Sequence, residues 1–254
     1  MFCILNTEKK KLTLLEKVFR FLAQDDYAIK TIPVFKGAPF YVLNVSFCEN
    51  VDWDRVVENT GKCSQRLILN NNIEIPQNKG IGVYKSNLLY NKVFQNTALQ
   101  IIKNNKRKKE LYHIAVYDKN ADFTDFTIRL SAFSSKLTVV TENKDKYMNL
   151  CDEILEKTGL CISLLSDFDN AKIKIDTLRN VMSIDANNQF INVINGENIL
   201  VDDIYKKLLP ENINEQDFYS ALYELCGVFS LGECIFENVT VNNEKKLVKD
   251  IHFA

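Results

Sequence analysis

Four acids follow closely on apolar runs that read as strands: Asp118 in "LYHIAVYD", Glu142 after "KLTVVT", and the pair Asp167 and Asp169 after "LCISLL". If those runs lie side by side in one sheet, the acids gather at its carboxyl edge, where ligands bind in open α/β folds. Clustered carboxylates there suit a hard cation such as Mg²⁺, and a single acid suits the hydroxyls of a ribose. Each acid also has a structural role open to it. Asp and Glu after strands form turns, and a negative charge stabilises a helix N-terminus by about 0.3 to 1 kcal/mol. Glu142 and Asp118 are the two candidate cofactor-binding residues; for Glu142 the structural role is preferred, and no metal is assigned to the group.

The other reactive side chains form weaker constellations. "GKCSQR" sets Cys63 near Lys62 and Arg66, cations that could lower a thiol pKa, and Arg66 could instead meet an anion between the lobes. A catalytic thiol needs a base, however, and His113 falls inside an expected buried strand while His252 lies near the end of the chain. The seven cysteines show no C-x-x-C spacing, so free thiols packed as small hydrophobes are expected rather than zinc ligands. There are only eight glycines, few for loops that cradle phosphate on backbone N–H groups. "KGIGVY" puts Lys85 where a third glycine would stand and reads as a turn, and no G-x-x-x-x-G-K-[ST] occurs. "KNNKRKKE" is the one basic cluster. It falls at the expected C-terminus of a long helix, where cations complement the dipole, and nucleic acid is not an expected partner.

Something must position these groups, and the pattern along the chain says what. "MFCILN" suits a buried strand, and "KLTLLEKVFRFLA" sets Leu15, Val18, Phe19 and Leu22 on one helical face. "AIKTIPVF" and "PFYVLNVSF", separated by Lys36-Gly37-Ala38, suggest a hairpin, and "VDWDRVVENTG" a short helix from Asp52 to Gly61. The polar stretch from Asn70 to Ser86 marks a boundary. "SNLLYNKVFQNTALQIIKNNKRKKE" then reads as a long connecting helix, followed by alternating strands and helices.

The clearest unit is "NKDKYMNLCDEILEKTG". Asn143 caps it, Tyr147, Leu150, Cys151, Ile154 and Leu155 form its apolar stripe, and Gly159 stops it. Beyond Asp176 shorter strands and further helices are expected, the last residues packing back onto the sheet. The expected fold class is therefore α/β with two lobes: a small β-α-β-β lobe over 1–85, and a mostly parallel sheet with C-terminal helices over 86–254.

Between about Asn87 and Asn195, the order of elements together with "LTVVTE" and "AKIKID" resembles a Rossmann-like domain of the shikimate-dehydrogenase type. The resemblance implies a small α/β lobe before a nucleotide-binding sheet, NAD(P) as cofactor, and Glu142 as a ribose contact. The family's G-x-G-x-x-G/A loop seats the pyrophosphate on a helix N-terminus. The corresponding "YDKNADFTDF" has no glycine and carries Asp118, Asp122 and Asp125, which repel a pyrophosphate.

Two functions follow as expectations. The preferred one is a non-catalytic binding or scaffold protein on a degenerate Rossmann-like sheet, with no cofactor and a small ligand or protein partner. The alternative is a nucleotide- or NAD(P)-dependent, oxidoreductase-like enzyme with its ligand in the interlobe cleft and Asp118 or Asp167 as metal ligand or base. Apolar and charged fractions of 46% and 26%, a net charge of −1 and short apolar runs lead us to expect a soluble, cytoplasmic chain with no membrane partner.

Overall fold

The computed structural model describes residues 1–11, 24–70, 73–76, 79–105, 112–165, 168, 170–186 and 189–253. The helix expected over "KLTLLEKVFRFLA", most of the basic cluster, and Asp167 and Asp169 lie outside the described residues. The strands are β1 (Cys3–Lys9), β2 (Asp26–Ile32), β3 (Phe40–Phe47), β4 (Leu67–Leu69), β5 (Tyr112–Tyr117) and β6 (Ser134–Val140). They continue as β7 (Ile162–Leu165), β8 (Ile173–Asp176), β9 (Val181–Ala186), β10 (Gln189–Ile199), β11 (Phe236–Val241) and β12 (Glu244–Leu247). The α-helices are α1 (Trp53–Thr60), α2 (Leu88–Asn105), α3 (Thr124–Ser131), α4 (Lys144–Thr158), α5 (Asp203–Lys206) and α6 (Glu215–Leu225). Among the described residues no helix is long and apolar enough to cross a membrane.

The chain divides into two compact units, Met1–Tyr90 with Val201–Gly232, and Asn91–Leu200 with Glu233–Ala254. The first unit holds a four-stranded sheet in the order β2-β3-β1-β4. β1 lies between β3 and β4 and runs parallel to both, while β2 and β3 form the expected antiparallel hairpin. α1 connects β3 to β4. The Asp52 carboxylate accepts from Asp54 N and Arg55 N to begin the helix, and Gly61 takes a positive φ after it. Alternation along β1 sends Cys3 and Leu5 into a cluster with Leu43, Val56 and Leu67. Phe2 stacks on Phe40 with ring centroids 4.9 Å apart, and Phe218 of α6 meets Phe40 edge-on at 5.6 Å.

That aromatic cluster changes the expected division of the chain. The helices after residue 200 were expected in the second lobe, but the structure groups Val201–Gly232 with the first. The reason is the apolar face of α6: Phe218 and Leu222 are buried, and Phe218 packs on Phe2 as well as Phe40.

The second unit holds an eight-stranded sheet, β12-β11-β10-β9-β8-β5-β6-β7. Only the pairs β5–β6, β5–β8 and β6–β7 are parallel; from β8 to β12 every pairing is antiparallel. The sheet is mixed rather than mostly parallel: a parallel neighbour needs a crossover of about a dozen residues or more, and the β8–β9, β9–β10 and β11–β12 links are shorter, while the long β10–β11 link, residues 200–235, also returns antiparallel. The β11–β12 link is Asn242-Asn243 with φ of 49° and 70°, the conformation of a type I′ hairpin turn. The last residues, expected to pack back onto the sheet, add a hairpin to its edge, and β10, expected as a short strand, runs to 11 residues. A register shift between Ile194 and Gly196 marks a bulge, and a Cβ on Gly196 would lie 1.8 Å from the Phe236 ring.

α4 follows its expected limits. Asn143 Oδ1 accepts from Lys146 N, and Gly159 closes the helix in the left-handed region at φ 71°. Tyr147, Leu150 and Ile154 are buried against Val139 and Ala121, with Ile162 and Leu164 beside them. Cys151 is only half-buried and Leu155 is exposed, so the expected stripe is wider than the surface that covers it.

Candidate functional site

β5 and β6 are parallel neighbours, so the turns after them share one edge of the sheet. Asp118 N donates to Val140 O at 3.0 Å, and Glu142 N donates to Lys119 O at 3.0 Å. The structure therefore brings Asp118 and Glu142 to the same edge, but their side chains face different surroundings.

The Asp118 side chain turns inward and is 1% exposed. Its Oδ1 accepts from Asp122 N at 3.0 Å, and its Oδ2 accepts from Phe123 N at 2.9 Å and from the Tyr147 hydroxyl at 2.7 Å. Ala121, fully buried at φ 58°, bends the chain so that these amides face back onto the carboxylate. Asp122 and Phe123 immediately precede α3, and amides at that position are the donors a helix N-terminus offers to an anion. Asp118 supplies the anion from within the chain. Tyr147 is held as a donor: burial raises its phenol well above 10.0, the contact with Thr127 Oγ1 at 3.0 Å opposes this, and the Asp118 carboxylate reinforces it.

Glu142 faces water, its side chain 69% exposed, with Lys119 Nζ 3.5 Å away. Asp122 pairs with Lys146 at 3.8 Å, and Asp125 lies in the first turn of α3. These are exposed ion pairs and helix-end charges, each worth about 0 to 1 kcal/mol. Among the described residues no three His, Cys, Asp or Glu side chains come together in a way that holds a metal ion.

The thiol and imidazole candidates are dispersed. Cys63 is buried in the 3-10 turn Gly61–Gln65 of the first unit, whereas His113 and His252 belong to the second. His113 Nε2 lies 3.3 Å from Thr138 Oγ1. Lys62 and Arg66 line, with Met1, a cavity of about 600 Å³. Burial pushes the Cys3 thiol up to about 12 and that of Cys226 up to about 11, so neither is an activated nucleophile.

A second place in the fold was not foreseen. In the first unit the chain passes from β1 to β3 on one side, then returns through α1 to β4 on the other, so the connections switch direction at β1. Crevices at the carboxyl ends of strands form at such a switch point. Here a cavity of about 280 Å³ is lined by Asn6, Glu8, Asn44, Ser46, Asn70 and Glu211, among others. Asn6 Nδ2 donates to Asn44 Oδ1 at 2.9 Å, and Asn70 Oδ1 accepts from Thr7 N at 3.2 Å. The first bond leaves one amide oxygen and the NH₂ group of Asn44, and turning both amides over leaves the same inventory. Two carboxylates and, among the described residues, no cation line the space, so its field favours a neutral or cationic guest. The available signal was Asn6 and Asn44 interrupting apolar runs at positions paired in the β1–β3 register.

No protein-family model, curated protein or solved structure matches this chain.

Proposed function

We propose that this chain is a non-catalytic binding protein on a degenerate Rossmann-like sheet whose anion seat is filled by its own Asp118. The observation that carries the reading is the set of three donors converging on that buried carboxylate. A dinucleotide at this edge needs the same amides, and it would bring its pyrophosphate against an existing negative charge. The binding role passes to the polar cavity at the end of β1, whose amides and hydroxyls suit a small neutral, hydroxyl-bearing ligand.

The competing reading is a nucleotide- or NAD(P)-dependent enzyme with Glu142 on the ribose. It draws on the parallel strand order β7-β6-β5-β8, which follows the first four strands of the doubly wound arrangement 3-2-1-4. Thermal denaturation separates the two, because a ligand at about 100 times its Kd stabilises the native state by about 2.7 kcal/mol. With NAD⁺, NADH, NADP⁺, NADPH or ATP·Mg²⁺ the midpoint is expected to stay fixed, and a clear rise with any dinucleotide refutes the proposal. For the cavity, myo-inositol and glucose are expected to perturb the side-chain amide resonances of Asn6 and Asn44 while glucose 6-phosphate does not.

A further inference from the structure

α4 carries more apolar surface than its own sheet covers. Tyr147, Leu150 and Ile154 are buried, yet Met148 is 59% and Leu155 45% exposed, and Cys151 is half-buried. At about 100° per residue these three fall on one flank, next to the buried stripe. Lys146 occupies the opposite flank and pairs with Asp122 in the turn before α3 at 3.8 Å. The Met148 flank therefore points away from α3, toward β7. The electrostatics agree with that direction: burial raises the Cys151 thiol, Asp152 adds to the rise, and the thiol of Cys161, the residue before β7, adds a smaller share.

β7 is the outermost strand on that side and pairs with β6 alone among the described strands. Its sequence is Ile-Ser-Leu-Leu, with Leu165 37% exposed. An apolar strand with one unused edge is a template for another strand.

We propose that the outer edge of β7 and the Met148, Cys151 and Leu155 flank of α4 form the interface of a two-fold dimer of this chain. One two-fold axis normal to the sheet sets β7 antiparallel to its copy and, in the same operation, sets α4 antiparallel to its copy. The flank is self-complementary under that axis. Met148 and Leu155 lie about equally far from Cys151, so Met148 of one copy meets Leu155 of the other. The charges agree as well. Lys144 shares this flank at the start of α4 and Asp152 borders it toward its end, whereas Lys146 and Glu153 face the other way and are paired within their own chain. Antiparallel packing places the cationic end of each helix against the anionic end of its copy and opposes their dipoles. An unrelated extended peptide could pair with β7 but would leave this helix flank uncovered.

Sedimentation equilibrium on the full chain, from about 1 to 100 µM, is expected to show a monomer–dimer equilibrium. Met148→Lys is expected to weaken it at least about tenfold. The double variant Met148→Lys with Leu155→Glu should recover dimerisation, because the new cation of each copy then faces the new anion of the other. In a Cys161→Ser background, copper-phenanthroline oxidation should link two chains through Cys151, each thiol giving up one electron and one proton to the oxidant. The further change Cys151→Ala should abolish that link. A monomer at every concentration, a dimer indifferent to Met148→Lys, or cross-linking that survives loss of Cys151 overturns the proposal.

Discussion

Replacing Asp118 with alanine tests the central structural claim. The carboxylate accepts three hydrogen bonds of 2.7 to 3.0 Å and is 1% exposed. Hydrogen bonds to a charged group are worth about 1.5 to 3 kcal/mol each, but they are not additive, and removing a buried carboxylate also removes its desolvation cost. Water entering the vacated space would satisfy part of what is lost. The expected net loss is about 2 to 4 kcal/mol, a large share of a total stability of about 5 to 15 kcal/mol. Asp118→Asn keeps the shape and one acceptor but turns an NH₂ group toward a donor, so about half that loss is expected. Urea unfolding followed by circular dichroism reads the change as a lower midpoint at unchanged slope. Amide exchange at Asp122 and Phe123 should accelerate in step. Inorganic phosphate should raise the midpoint of Asp118→Ala but not that of the parent, because only the variant presents an empty seat to an anion. An alanine variant as stable as the parent, or unchanged exchange at those two amides, would refute the reasoning.

Two further changes probe the rest of the fold. Gly196→Ala sets a methyl 1.8 Å from the Phe236 ring, so the β10–β11 ladder must shift; a loss of about 1 to 3 kcal/mol or more is expected by urea unfolding. The buried thiols predict a fall in stability at alkaline pH. Below an ordinary thiol value of 9.0 both states are protonated; above it the unfolded chain ionises while Cys226 and Cys3 stay neutral to about 11 and 12. Stability should therefore decline from about pH 9 upward, by at most about 1.4 kcal/mol per pH unit for each resistant thiol. The decline should shrink in Cys3→Ala with Cys226→Ala. At pH 8 iodoacetamide should label exposed Cys161 before either of them, as peptide mapping would show.

Local signals were the legible ones. Asn143 and Gly159 bound α4, and Asp52 and Gly61 bound α1, because a cap needs only a side chain and its neighbouring amides. Asp118 was legible as an acid at a strand end facing a turn without glycine. Its inward rotation was not, since that depends on Tyr147, 29 residues away, and on the positive φ of Ala121. The Asn242-Asn243 turn carried a hairpin signal that the mixed composition around it hid. Cys151 and Leu155 fit the helical period as well as Ile154 does, and no periodicity states how far round a helix the sheet reaches.

The sequence by itself determined which segments become strands and helices over much of the described chain, and that acids would stand where a phosphate-binding loop would need glycine. These properties belong to runs of a few neighbouring residues. Tertiary structure alone decided that Phe218 joins Phe2 and Phe40, that the second sheet turns antiparallel after β8, and that Asn6 and Asn44 meet at the end of β1. Each of those outcomes is a choice of partner among distant segments with similar apolar surfaces. The choice is made by how all the surfaces pack together, a sum to which each local pattern contributes only one term.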